Sequence, residues 1–139
     1  MSQSLYTIPP TTTQSLRKLR FGSARALTPQ SRIYKIDPKE LCIVEQAPEE
    51  IYKSLEELAD ALPGNSPRYV VLSYPIVTAD GRHKSPYVLL YYKPENANQQ
   101  AKMLYAAAVE LFRAQADVNK LIEVADEDEV LDVKDLLNE

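Results

Sequence analysis

SPRYVVLSYPIVTADGRHKSPYVLLYYKPENANQQAKMLYAAAVELF, residues 66–112, decides the fold. Residues 68–77 are rich in Val, Ile and Tyr and predict a strand. Asp80-Gly81 is the strongest short hairpin signal in the chain. Residues 86–93 return as a second long strand, whose unbroken apolar character predicts a central position buried on both faces. Pro94 breaks that strand, and Asn96 or Asn98 offers a side-chain oxygen to cap a helix over residues 96–116. At about 100° per residue, Ala101, Leu104, Ala108, Leu111 and Phe112 gather on one side of this helix and predict its core face. Met103, Ala106, Ala107 and Ala114 gather on the other side, beside Gln99, Glu110 and Arg113. Apolar surface with no core to face predicts a partner-binding surface.

Working outward, Thr11 and Gln14 resemble a capping box after Pro9-Pro10, and Leu16, Leu19 and Phe21 follow near helical spacing. A short basic helix is expected over residues 12–21, with residues 1–10 a flexible leader. A strand of mixed faces at residues 32–37, a turn at Asp37-Pro38 and a strand at residues 41–45 make a hairpin. Pro48-Glu49-Glu50 suits a first helical turn, because proline is tolerated there and carboxylates meet the positive end of the dipole. Ile51, Leu55, Leu58 and Leu62 continue at helical spacing, and Pro63-Gly64-Asn65 stops the helix. Downstream, residues 121–125 predict a short strand. Asp126 with Glu129 predicts a capped last helix carrying Val130, Val133, Leu136 and Leu137. The expected architecture is a single α/β (α+β) domain, residues 1–139, with a mixed sheet of five to six strands between helices on both faces.

The composition, 45% hydrophobic and 26% charged over 139 residues, suits one globular domain. No apolar run approaches a membrane span, and residues 1–14 lack the pattern of a secretory signal. The single cysteine, Cys42, rules out a disulfide framework within the chain; a reducing compartment is expected, with Cys42 packed as a strand residue. Charge is uneven: residues 1–39 hold seven cations against Asp37, and residues 122–139 hold eight carboxylates against Lys134. Such a dipole can steer a charged partner. Nucleic acid is a poor candidate, since the tyrosines fall in strands with few cations beside them and the chain is acidic overall.

Chemistry is sparse. His83, the only histidine, follows the hairpin turn and reads as an exposed loop residue. No spacing of His, Cys or carboxylates suggests a metal site, and three glycines cannot build a phosphate loop. No nucleophile elbow surrounds any serine. Residues 126–129 lack the calcium-loop pattern and read as a helix start. Neither enzyme activity nor a cofactor is expected.

The pieces PRYVVLSY, DGR, SPYVLLYYKPE and QQAKMLYA, in that order, with LRKLRF and YKID upstream and NKLIEV downstream, resemble the actin-depolymerising-factor homology domain. Within that family the chain looks most like the glia maturation factors, as a fungal-type or otherwise divergent member. The resemblance runs from about Ser15 onward and implies a five-stranded mixed sheet between pairs of helices. It also implies a non-enzymatic regulator of the actin cytoskeleton that binds the actin-related protein 2/3 complex at branch junctions, inhibits branched nucleation and promotes debranching. The first daughter-filament actin would be a further partner. The alternative is a cofilin-like protein that binds and severs filaments. Cofilin-like domains carry lysines further along the long helix and a longer charged hairpin. Here the helix continues as Val109-Glu110-Leu111, and the hairpin turns tightly at Asp80-Gly81.

By this resemblance the first surface comprises Gln100, Lys102, Met103, Ala106 and Ala107, with Glu110 and Arg113, and with Arg17, Lys18 and Arg20 adding electrostatic attraction. Asp80, Arg82 and His83 would form a second surface, with the acidic start of the last helix beside them. Ser2 is an expected phosphorylation site, where added charge would oppose an acidic groove rim. The expected protein is a monomer of the cytoplasm at cortical actin, with the nucleus as a second compartment.

Overall fold

The computed structural model describes residues 6–137. The elements follow in the order α1 (Pro10–Ser23), β1 (Gln30–Asp37), β2 (Cys42–Glu45), α2 (Leu55–Ala61), β3 (Arg68–Ser73), β4 (Ile76–Val77), β5 (His83–Lys84), β6 (Tyr87–Tyr92), α3 (Gln99–Ala116), β7 (Lys120–Val124) and α4 (Glu127–Leu137). Five strands form one mixed sheet in the order β2-β1-β3-β6-β7, and β4 pairs with β5 in a separate two-stranded ribbon. All pairs are antiparallel except β6 with β7, where α3 supplies the crossover a parallel pair requires.

Alternation along the strands builds two cores. Val70 and Leu72 of β3, with Val88, Leu90 and Tyr92 of β6, face α2 and α4. Tyr69 and Val71, with Leu89 and Tyr91, face α1 and α3. Both faces are covered, so β3 and β6 can be apolar at nearly every position, as their sequence suggests. Pro75 separates β3 from β4, and the hairpin turn sits at Gly81, with φ +84°, where a Cβ would be strained.

Several expectations change. Helix α1 starts at Pro10 with no side-chain cap, so Thr11 and Gln14 form no capping box. The strand expected over residues 68–77 divides at Pro75 into β3 and the ribbon strand β4. The second helix does not start at Pro48. Tyr52 exchanges backbone hydrogen bonds with Ser31 of β1, and the helix begins only after Ser54, whose hydroxyl accepts from Glu57 N at 3.1 Å. Pairing at the sheet outweighs the local preference of Pro48-Glu49-Glu50, and Ser54 is the stronger cap. In α3 the core stripe is Tyr105, Ala108, Phe112 and Ala116. Leu104 and Leu111 lie half-buried at its margin. The stripe is rotated because Tyr105 is a core residue: its hydroxyl accepts the buried Ile36 N–H at 2.9 Å, and its ring stands edge-on to Tyr69 at 5.3 Å. Finally, part of the expected leader belongs to the fold. Thr7 donates to Leu41 O and accepts from Ile43 N, and Tyr6 donates its hydroxyl to Leu104 O at 3.2 Å.

Candidate partner-binding surfaces

The start of α3 is fixed by Asn98, whose side chain accepts from Ala101 N at 2.7 Å. With Tyr105 turned into the core, Met103 points away from it and is 63% exposed. It stands on a ridge between two open grooves. One, of about 760 Å³, runs between α3 and β1 and is lined by Tyr6, Lys35, Ile36, Leu41, Gln100 and Leu104 among others. The other, of about 420 Å³, is lined by Pro67, Tyr91, Lys93, Lys102 and Ala106. Gln100 and Ala107 thus lie on the first flank, and Lys102 and Ala106 on the second. These five residues form one continuous patch. Below it, Arg68 donates to Gln46 Oε1 at 2.7 Å, and Tyr105 lies within 3.4 Å of its guanidinium, which holds the groove wall in place. Tyr6 and Arg68 carry no local signal that marks them as groove residues; only long-range packing brings them there.

The remaining residues expected on this surface are elsewhere or engaged. Glu110 is paired with Arg113 at 3.5 Å. Arg113 also donates to Val118 O at 3.2 Å and to Asn119 O. Arg20 donates to Ala116 O at 3.2 Å and to Asp117 O, and its guanidinium lies 4.3 Å above the Tyr87 ring. Arg20 therefore caps Ala116, whose carbonyl the helix leaves open at its C-terminus, and Arg113 holds the carbonyls of the segment that follows Asp117, which takes a left-handed conformation. This end is 13 residues from Met103, or ~20 Å along the axis. Arg20 is accordingly not brought to Met103. Arg17 and Lys18 are exposed on α1, one turn or less before Arg20.

The β4–β5 ribbon brings Asp80, Arg82 and His83 together. Thr78 N donates to Arg82 O at 2.8 Å, closing the turn. The Thr78 hydroxyl donates to Asp80, and this hydrogen bond holds the Asp80 carboxyl below its usual range. Asp80 pairs with Arg82 at 3.3 Å, both exposed. His83 is exposed on β5 opposite Val77. The acidic start of α4 is capped by Asp126, which accepts from Glu129 N at 2.9 Å. Ser2 lies outside the described residues.

Among the described residues no group of three His, Cys, Asp or Glu side chains is placed to hold a metal, and no helix is long and apolar enough to cross a membrane. Cys42 is half-buried beside Thr7.

Comparison with known proteins matches residues 6–139 to the family described as cofilin/tropomyosin-type actin-binding protein. Protein AIM7 of Saccharomyces cerevisiae is 38% identical over 128 residues, covering 88% of this chain and 86% of that protein. Glia maturation factor of Drosophila melanogaster is 29% identical over 118 residues, covering 84% and 83%. The solution structure of glia maturation factor from Caenorhabditis elegans superposes with a TM-score of 0.74 at 29% identity, covering 93% of this chain and 91% of that one.

Proposed function

The chain belongs to the cofilin/tropomyosin-type actin-binding family, and from that premise we propose that it acts at filament branches. It binds the actin-related protein 2/3 complex, inhibits branched nucleation and promotes detachment of branches, without covalent chemistry and as a monomer at cortical actin in the cytoplasm. The similarity to two glia maturation factors supports this reading over filament severing. The observation that carries it is the composition of α3: an exposed Met103 among small residues at its start, and no free cation further along. Val109 is half-buried, Glu110 is occupied by Arg113, and Arg113 is spent on backbone carbonyls.

In this mechanism Met103 is the apolar plug that enters a groove on an actin-related subunit. Ala106 and Ala107 allow close approach, while Gln100 and Lys102 supply polar contacts on the two flanks. The ribbon carrying Asp80, Arg82 and His83 meets the first daughter-filament actin. Branch loss follows only if the domain binds the dissociated state more tightly than the intact junction. Direct imaging of branched filaments with purified components tests this: branches should detach faster as the protein is added, while the protein stays in the supernatant when bare filaments are pelleted. Arg82→Ala should slow detachment more than it weakens binding. Robust pelleting with bare filaments, without debranching, would replace this function with the cofilin-like one.

A further inference from the structure

Five large apolar side chains are exposed among the described residues, and three of them, Phe21 at 76%, Leu27 at 88% and Val77 at 61%, lie on α1, the loop after it and the ribbon. Leu27 and Val77 line one shallow groove of about 380 Å³. Ile76 adds to its apolar wall, and Arg25, His83, Lys84 and Ser85 are its polar residues. No carboxylate lines it. Phe21 follows Arg17 and Lys18 by four and three residues on α1, so these two cations neighbour it on the helix surface, and Arg25 stands in the turn just after the helix. Arg17, Lys18, Arg25 and Lys84 make no ion pair among the described residues, whereas Arg82 is matched by Asp80 and Arg20 is held at the end of α3. A chain of net charge −4 thus carries a basic, apolar end, where Asp80, the carboxylate that interacts with Lys84, is already paired with Arg82.

We propose that this end docks an acidic amphipathic peptide segment of a partner protein, with an apolar side chain seated between Leu27 and Val77 and carboxylates set against Arg25 and Lys84. A wholly apolar partner would bury the cations without counter-charge, and a wholly acidic one would leave Leu27 and Val77 in water; both are unfavourable. The apolar groups line a concavity, which accepts an inserted side chain better than it wedges into a lipid surface. The proposal deepens the second surface described above, and rests on that reading only for which assembly carries the segment.

The test uses the full chain, isotopically labelled for NMR, and a synthetic helical peptide with Leu and Phe on one face and Glu on the other. Amide shifts should concentrate in residues 21–27 and 75–85 and leave residues 103–107 unmoved. The double variant Arg25→Glu/Lys84→Glu should bind the peptide at least about tenfold more weakly, a loss of ~1.4 kcal/mol, with an unchanged Tm, since both residues are exposed. Absent shifts, shifts centred on α3, or equal binding of a peptide bearing Lys in place of Glu would overturn the proposal. So would Lys84-dependent binding to anionic phospholipid vesicles in place of the peptide. Met103→Asp should keep peptide binding intact. Peptide binding by an unaltered chain that fails to debranch would fault the debranching function alone, and absence of peptide binding by a debranching-competent chain would fault only this proposal.

Discussion

Met103 offers the sharpest test, because its burial on binding can be converted into an affinity. Fully burying a methionine side chain is worth ~1.5–3 kcal/mol, and 63% of Met103 is still exposed in the isolated fold. A partner groove that covers the remainder should therefore gain ~1–2 kcal/mol, so Met103→Ala should weaken binding to the branching complex roughly 5- to 30-fold. Met103→Asp adds the cost of a carboxylate stripped of water in that groove, bringing the loss to about 3–5 kcal/mol, or roughly two to three and a half orders of magnitude in Kd. The fold should scarcely notice, since Met103 faces away from the core stripe of Tyr105, Ala108, Phe112 and Ala116. The helix-propensity cost of aspartate is only ~0.5 kcal/mol. Fluorescence anisotropy of the labelled chain with purified complex gives the affinity, and thermal unfolding by circular dichroism gives the stability. Met103→Leu, of similar volume, should stay within about fivefold of the parent, given that such swaps cost ~1 kcal/mol or less. If Met103→Asp unfolds the domain, or Met103→Ala binds as tightly as the parent, Met103 is not the plug.

Two further predictions concern the scaffold. Tyr105→Phe removes the acceptor of the buried Ile36 N–H and should destabilise the fold by ~1–3 kcal/mol in urea unfolding; a change under ~0.5 kcal/mol would mean the amide finds another partner. Burial pushes the Tyr87 and Tyr91 hydroxyls up to about 12, and raises Tyr34 and Tyr69 further. Below the usual tyrosine range both folded and unfolded chains keep these protons, so their contribution to stability is intact. From about pH 10 the unfolded chain ionises first, and each such tyrosine should lower stability by ~1.4 kcal/mol per pH unit until its folded pKa is reached. Urea midpoints that stay flat from pH 10 to 12, about the window opened by the unperturbed tyrosine value, would contradict the burial of these hydroxyls.

Some of this was legible in the chain. β3 and β6 could be recognised as central because their apolar runs have no polar face, and they do lie inside the sheet order β2-β1-β3-β6-β7. The cap of α3 is one of the two asparagines expected. Tyr105 carries no core signal in the sequence, because its hydroxyl is polar and the strand amide that satisfies it comes from Ile36, 69 residues away. Helix α2 starts later than Pro48 because Tyr52 is recruited to the edge of β1, a contact 21 residues away in sequence.

The sequence by itself determined the order of the elements, the two-sided burial of the central strands and the exposed face of α3. Each rests on a local period or a local cap, and short-range geometry enforces it. The tertiary structure decided which charges remain available. Arg20 and Arg113 look like partner contacts in one dimension, but folding places them on the open carbonyls at the end of α3 and beyond it, and they are spent there. It likewise decided that Leu27 and Val77 line one groove. They stand on a loop and a ribbon, and no periodicity links residues whose proximity depends on how those segments pack.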